Sequence, residues 1–305
     1  MKIMRGYGIY LFSISLLWAF WLQLSAGPKG QSSFPEESPW FLSAESALHF
    51  SQYTILDTRS YLHRLKNKIP GSKVISWEEL SRTDIPHKGE LLELSLVRKK
   101  INELGIKENQ FIFVLGDGES GWGEEGRIVW SLREAGFYNS YWIDGGYSAL
   151  EKAIQKNSNV KGDNAIDLSV SQNRPKLSSS IRKEEILKGL PTKQFHILDT
   201  REPREFSGAT PYGESRGGHI PGAKSFFYQD LFDAKGNIKS KSEVENSLKQ
   251  LGIQKEKPIV AYCTGGVRSA FVVGILRTYG YNAYNYAGSM WEWSHDPKLP
   301  LETKN

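Results

Sequence analysis

Short apolar runs alternate along the chain with longer stretches in which apolar residues recur at helical spacing. The runs that predict buried strands are 53–59, 74–75, 111–115, 140–143, 196–199 and 259–262. The stretches that predict helices are 39–50, 88–104, 127–135 and 269–279. Strands that alternate with helices favour a parallel sheet flanked by helices, so the predicted fold class is α/β.

The same motifs recur in the same order, which indicates an internal repeat. Ile-Leu-Asp-Thr-Arg at 55–59 returns at 197–201, Ile-Pro-Gly at 69–71 returns at 220–222, and Leu-Gly-Ile at 104–106 returns at 251–253. The second copy is longer between its first two motifs because residues 207–217 are inserted. Two copies of one domain are predicted, residues 38–156 and 181–305. The stretch between them, 157–180, is rich in Lys, Asn, Ser and Asp and predicts an exposed linker.

The first 27 residues have the pattern of a targeting segment. Lys2 and Arg5 precede an uncharged apolar run, Ile9–Leu24, and small residues follow at Ser25–Gly27. Sixteen residues in a helix span about 24 Å, which is short of the roughly 30 Å hydrocarbon core of a bilayer. A secretory signal peptide over residues 1–27 is therefore favoured over a membrane anchor. The protein is expected to be exported, to the periplasm or another extracytoplasmic space, and to contact a membrane only if this segment is not cleaved.

Charge and cysteine content exclude several classes of protein. The net charge of +5 comes without a long basic run, so nucleic-acid binding is not indicated. A single cysteine rules out a disulfide within the chain and a zinc site built on several cysteines. The six histidines lack the spacing of metal ligands. A lone thiol in such a chain is a candidate reactive group.

That thiol, Cys263, stands where a predicted strand ends. A loop from Thr264 to Arg268, with glycines at 265 and 266, leads from it into a predicted helix. The thiolate is the reactive form of cysteine, and a helix N-terminus and a nearby arginine both lower the thiol pKa. Consecutive amides in a glycine-rich turn can also hold an anion. Activation by charge, rather than by a histidine base, is therefore predicted.

The corresponding loop of the first copy has different chemistry. Gly116 aligns with the cysteine, and the loop from Gly116 to Arg127 is longer. It carries four carboxylates, at Asp117, Glu119, Glu124 and Glu125. These would repel an anionic sulfur, so the first copy is expected to be inactive. For the acidic loop itself, a solvated loop with Trp122 tucked down is favoured over cation binding.

With these motifs the chain, over roughly residues 38–305, resembles the tandem-domain rhodaneses, the thiosulfate and 3-mercaptopyruvate sulfurtransferases. Four residues separate Cys263 from Arg268, as in rhodanese-type loops, whereas cysteine phosphatases place five. The motif at 218–223 is similar to the family's first signature. The motif at 288–293 resembles the C-terminal one, except that Met290 stands where the first Trp usually comes. The resemblance implies two rhodanese-like domains with the active site in the cleft between them.

The resemblance also implies a mechanism. Cys263 would take a sulfane sulfur from a donor as a persulfide and pass it to a thiophilic acceptor, cyanide or a thiol. The backbone amides expected to hold that sulfur belong to Thr264, Gly265, Gly266, Val267 and Ser269. Arg268 would orient an anionic donor, which favours thiosulfate. No metal or organic cofactor is implied.

Several alternatives stay open at this stage. Thr264 stands where thiosulfate enzymes carry a basic residue, and the family's additional substrate-binding arginine falls near Glu205. Arg201 is the candidate replacement and could instead pair with Asp199 or Glu205; Arg204 and Arg216 are further candidates. The alternative donors are 3-mercaptopyruvate and a protein persulfide. A non-enzymatic binding module is a further alternative, while a phosphatase or arsenate reductase is disfavoured by the loop length.

Overall fold

The computed structural model describes residues 38–157 and 178–303. The predicted targeting segment, residues 1–27, and most of the predicted linker, 157–180, lie outside the described residues. Among the residues that are described, no helix combines the length and apolar character needed to cross a membrane.

The first copy is built on a five-stranded parallel sheet with the order β3-β2-β4-β5-β1. Its strands are β1 (Phe41–Leu42), β2 (Thr54–Asp57), β3 (Lys73–Val74), β4 (Ile112–Leu115) and β5 (Ser140–Ile143). Its helices are α1 (Ala44–Ala47), α2 (Tyr61–Lys66), α3 (Leu94–Glu103), α4 (Glu124–Glu134) and α5 (Gly146–Asn157), with 3₁₀ turns at Glu78–Leu80 and Gly118–Ser120. The register pairs Leu56 with Val114 and Val114 with Trp142, and all three side chains are buried in the core.

The second copy repeats this arrangement with the strand order β7-β6-β8-β9. Its strands are β6 (His196–Asp199), β7 (Lys224–Ser225), β8 (Ile259–Tyr262) and β9 (Ala283–Asn285). Its helices are α6 (Lys183–Gly189), α7 (Pro203–Phe206), α8 (Lys241–Gln250), α9 (Val267–Thr278) and α10 (Ser289–Trp293), with a 3₁₀ turn at Tyr228–Leu231. A parallel bridge from Ser180 to Asn285 takes the place that β1 has in the first copy. The predicted pair of parallel α/β domains is confirmed.

Several helices begin at different residues from those predicted. The helix expected over 127–135 begins at Glu124, and the one expected from Ser269 begins at Val267. In both cases the preceding glycine adopts a left-handed backbone, with φ of 79° at Gly123 and 77° at Gly266. The helix begins at the residue directly after this glycine.

The two other predicted helices are shorter than expected. The stretch 39–50 begins with strand β1, and only α1 follows, capped by the Ser43 hydroxyl, which accepts from the Ser46 amide at 3.1 Å. The stretch 88–104 becomes helical only at Leu94, because the residues before it pair back on the chain through a bridge between Ser81 and Leu91.

Helices α4 and α9, one from each copy, pack against each other at the centre of the molecule. Gly126 of α4 lies so close to α9 that a Cβ there would sit 2.5 Å from the Cα of Phe271. The largest apolar cluster draws on both copies, with Trp130 and Trp142 from the first and Val272 from the second. This packing places the start of α4 beside the loop that precedes α9.

Candidate active site

Cys263 follows directly after strand β8 and is 1% exposed. The Gly266 amide donates a hydrogen bond to its Sγ at 3.1 Å, and the Ser269 hydroxyl donates at 3.6 Å. The Cys263 amide in turn donates to Ser289 Oγ at 3.1 Å, which anchors the residue from behind. The sulfur therefore accepts from two donors at the start of α9.

The surroundings of this thiol favour its ionised form. Burial raises the pKa of Cys263. The positive charge of Arg268 and hydrogen bonds from Ser269 and the Gly265 amide lower this pKa by more than burial raises it. The net effect holds the thiol pKa below its ordinary value. A depressed pKa increases the thiolate fraction at neutral pH, which is the nucleophilic form.

Arg268 is bound to a carboxylate rather than left free. Its Nη1 donates to Glu205 Oε2 at 2.7 Å and its Nη2 to Glu205 Oε1 at 3.0 Å, and both side chains are buried. Nη2 also donates to Thr264 Oγ1 at 2.6 Å. The charge of Arg268 is thus balanced locally, by a residue that lies 63 positions away in the chain and that local sequence spacing does not reveal.

Arg201 pairs with Asp199, which is one of the alternatives that the sequence left open. Its Nε and Nη2 bind Asp199 at 2.9 and 2.6 Å, and Nη2 also donates to the Gly218 carbonyl at 2.8 Å. Of the other two candidates, Arg204 binds Glu202 at 2.7 Å at the protein surface. Arg216 donates to backbone carbonyls after α10. Among the three, only Arg204 lines the pocket described below.

The insertion at residues 207–217 contributes directly to the site. Glu214 is buried, and its Oε1 lies 3.3 Å from Thr264 Oγ1 and 3.9 Å from Arg201 Nη1. The Tyr212 amide donates to the other carboxylate oxygen at 3.0 Å. Glu214 and Glu205 therefore place two carboxylates around one hydroxyl. The sequence signalled the insertion but gave no indication that it folds against the cysteine loop.

A pocket of about 410 Å³ opens beside Arg268. Its lining residues are Trp122, Glu202, Pro203, Arg204, Tyr212, Phe227, Tyr228, Gln229 and Arg268. Trp122, which comes from the acidic loop of the first copy, meets the Tyr212 ring edge-on with centroids 4.8 Å apart. The Arg268 guanidinium lies 5.2 Å from the Trp122 ring centroid. Both copies thus build the pocket wall.

One expectation about the acidic loop needs revision. Trp122 was expected to tuck down, and this is wrong: it is 42% exposed because it reaches across to the pocket. The carboxylates are engaged individually, Asp117 by the Ser60 amide at 2.8 Å and Glu124 by the Trp122 amide at 2.7 Å. Within the residues that the structure describes, no three acidic, histidine or cysteine side chains form a metal site.

Glu125 takes up the space near the position that aligns with the cysteine. A Cβ at Gly116 would lie 2.0 Å from Glu125 Oε2, and burial raises the pKa of this carboxyl to about 8. The first copy therefore presents a protonatable acid where the second presents a thiol.

Two aromatic side chains of α10 have separate positions. Trp293 is buried in the smaller apolar cluster of the second copy. Trp291 covers the cysteine loop, since a Cβ at Gly265 would lie 2.1 Å from its ring, and its Nε1 donates to the Tyr212 carbonyl at 2.9 Å.

His219, in the Pro-Gly turn, stacks on Phe206 with ring centroids 3.7 Å apart and hydrogen-bonds the Phe206 carbonyl at 2.9 Å. It therefore braces the turn.

Comparison with known proteins identifies a rhodanese-like domain twice, at residues 43–153 and 182–296. The thiosulfate sulfurtransferase of Azotobacter vinelandii is 25% identical over 262 residues, which cover 85% of this chain and 94% of that protein. The 3-mercaptopyruvate sulfurtransferase of Mus musculus is 25% identical over 270 residues, covering 83% and 89%.

Solved structures show the same fold at lower identity. YnjE matches with a TM-score of 0.69 and 17% identity, covering 87% of this chain and 68% of that one. Wild-type EanB matches with a TM-score of 0.69 and 18% identity, covering 88% and 70%.

Proposed function

Because the chain belongs to the family of proteins built from rhodanese-like domains, we propose that it is a sulfurtransferase that carries the transferred sulfur on Cys263 as a persulfide. The observation that carries the proposal is the sulfur of the chain's single cysteine, held by the Gly266 amide at 3.1 Å with its pKa depressed. The curated relatives named as sulfurtransferases support the same activity.

The proposed reaction has two steps. The Cys263 thiolate attacks the outer sulfur of thiosulfate, the S–S bond of the donor breaks, and sulfite leaves with the electron pair. The persulfide anion that remains is held by the amides at the start of α9, which offset its negative charge. Cyanide or a thiolate acceptor then attacks the outer sulfur, forming thiocyanate or a new persulfide and returning the Cys263 thiolate.

Thiosulfate is the donor we propose, supported by the named thiosulfate sulfurtransferases among the relatives. A second donor, 3-mercaptopyruvate, is favoured by one observation: Glu205 balances the charge of Arg268 and leaves less positive charge for a dianion. Transfer from that donor would break its C–S bond and release pyruvate after the carbon takes up a proton.

Intact-protein mass spectrometry tests the proposal. We expect a gain of one sulfur on incubation with thiosulfate, none in the Cys263→Ser variant, and loss of the added sulfur on treatment with cyanide. A parallel incubation with 3-mercaptopyruvate ranks the two donors by the rate of the same mass gain. Absence of the added sulfur with both donors, or its presence in the Cys263→Ser variant, contradicts the proposal.

We also propose that the protein acts outside the cytoplasm, on the pattern of residues 1–27. Expression of the full chain with fractionation of the cells tests this. We expect a mature form shortened at about residue 27 in the extracytoplasmic fraction, whereas a full-length cytoplasmic product contradicts export.

A further inference from the structure

Arg127 of the first copy reaches the cysteine loop of the second. Its side chain is 0% exposed. Nη1 donates to the Gly266 carbonyl at 3.2 Å, and Nη2 donates to the Gly89 carbonyl at 2.6 Å and to Ser81 Oγ at 2.9 Å. The same Gly266 carbonyl accepts from Asn285 Nδ2 at 3.2 Å. Arg127 thus ties the loop of the second copy to a segment of the first.

All of these acceptors are neutral. Among residues 38–157 and 178–303, no carboxylate oxygen lies within 4.0 Å of the Arg127 guanidinium, in contrast to Arg268 and Arg201, which are paired with Glu205 and Asp199. A buried charge without an opposite charge is costly. Arg127 therefore carries a buried positive charge that an anion nearby would stabilise.

Cys263 supplies an anion at the required place. Gly266, whose carbonyl binds Arg127, donates its own amide to the Cys263 sulfur. Burial lowers the pKa of Arg127 to about 10, whereas the Cys263 thiolate and Glu78 act in the opposite direction. The guanidinium and the sulfur therefore contact the same residue, Gly266, one through its carbonyl and the other through its amide.

The two other buried arginines near the cysteine loop have carboxylate partners. Arg268 is paired with Glu205, and Arg201 with Asp199. Glu214 adds a further negative charge beside Thr264. Arg127 is the arginine of this group that has no carboxylate oxygen within 4.0 Å among the described residues, and its charge acts on the sulfur together with that of Arg268.

We infer that Arg127 is a positioning residue for sulfur transfer, supplied by the copy that lacks the thiol. It fixes the backbone of Gly266 beneath the sulfur and provides the buried positive charge that the thiolate, and then the persulfide, offsets. The inference deepens the proposed function and rests on it for the persulfide step. The part of the inference that concerns the thiolate does not depend on the proposed function and rests on the contacts and charge of Arg127.

The test measures the thiolate directly by the pH dependence of Cys263 alkylation with iodoacetamide. In Arg127→Gln, a neutral side chain that can still donate, we expect about a tenfold smaller thiolate fraction at neutral pH, equivalent to a rise of about one pKa unit. In Arg127→Lys, which keeps the charge, we expect the fraction to stay within about threefold of wild type. Arg133→Gln is the matched control, because Arg133 is buried on the same helix but binds the Ser140 and Pro39 carbonyls.

An unchanged profile in folded Arg127→Gln overturns the inference, as does an equal loss in Arg127→Lys or in the control. If Arg127→Gln does not fold, Arg127→Met, which keeps much of the length of the side chain without its charge, takes its place in the same alkylation measurement. We expect the same smaller thiolate fraction there, and an unchanged profile in folded Arg127→Met overturns the inference. Alkylation needs no sulfur donor. If the protein formed no persulfide, the proposed function would be wrong, but the alkylation profiles would still test the role of Arg127.

Discussion

The Glu205→Gln substitution tests whether the buried carboxylate restrains Arg268. Glu205 is 0% exposed and binds both terminal nitrogens of Arg268 at 2.7 and 3.0 Å. Glutamine keeps the size of the side chain but removes its charge, so the guanidinium becomes available to an anionic donor. A charged hydrogen bond is worth about 1.5–3 kcal/mol, and about 1.4 kcal/mol corresponds to a tenfold change. We therefore expect kcat/KM for thiosulfate to rise about ten- to hundredfold.

The assay is steady-state thiocyanate formation from thiosulfate and cyanide. Glu103→Gln is the control, since Glu103 pairs with Lys99 on the exposed surface of α3, outside the pocket lining, and should change kcat/KM little. An unchanged or lower kcat/KM in folded Glu205→Gln would refute the idea that Glu205 holds Arg268 back from the donor.

The same variant should lose stability in a pH-dependent way. Removing one partner of a buried ion pair costs about 3 kcal/mol or more. Burial raises the pKa of Glu205, but the hydrogen bond and charge of Arg268 outweigh it and hold the pKa below the usual 4.5. A depressed carboxyl pKa stabilises the fold above about pH 4.5, and this contribution disappears as pH falls. Urea unfolding of wild type and variant should therefore converge on acidification, and a gap that persists at low pH would contradict the ion-pair account.

Two further substitutions test the shared architecture. Gly126→Ala places a Cβ 2.5 Å from the Phe271 backbone and should lower the free energy of unfolding, measured by urea titration, by about 3 kcal/mol. Gly105→Ala is the control: its Cβ meets open space, so this variant measures only the strain of a left-handed backbone. Trp122→Ala should raise KM for the donor or acceptor with little change in Tm, because Trp122 is 42% exposed and lines the pocket; an unchanged KM for both substrates would remove it from the site.

The local features of the molecule were predictable from sequence because they depend on neighbouring residues. The repeated strand–acid–turn motifs gave the two parallel sheets, and the glycines after Cys263 gave the tight turn into α9. Even the errors at helix starts are local, since Gly123 and Gly266 begin their helices earlier than apolar spacing alone suggests.

The charge balance of the site was not predictable in this way. Glu205 and Arg268 are 63 residues apart, and Arg127 meets Gly266 across 139 residues. No periodicity or spacing encodes such contacts, which depend on how the second sheet and the first copy pack around the loop. The sequence therefore identified the thiol and its arginine but did not indicate the carboxylate that binds this arginine.

The packing of α4 on α9 has a consequence for how such a protein can be divided. Phe271, Val272 and their neighbours on α9 are covered by residues of the other half, among them Ile128 and Trp130. A fragment that carries only the second copy would expose this apolar surface to water. It would also lose the Arg127 guanidinium that contacts the cysteine loop. The first copy thus helps to stabilise the second, so we expect a chain cut down to the second copy alone to be unstable.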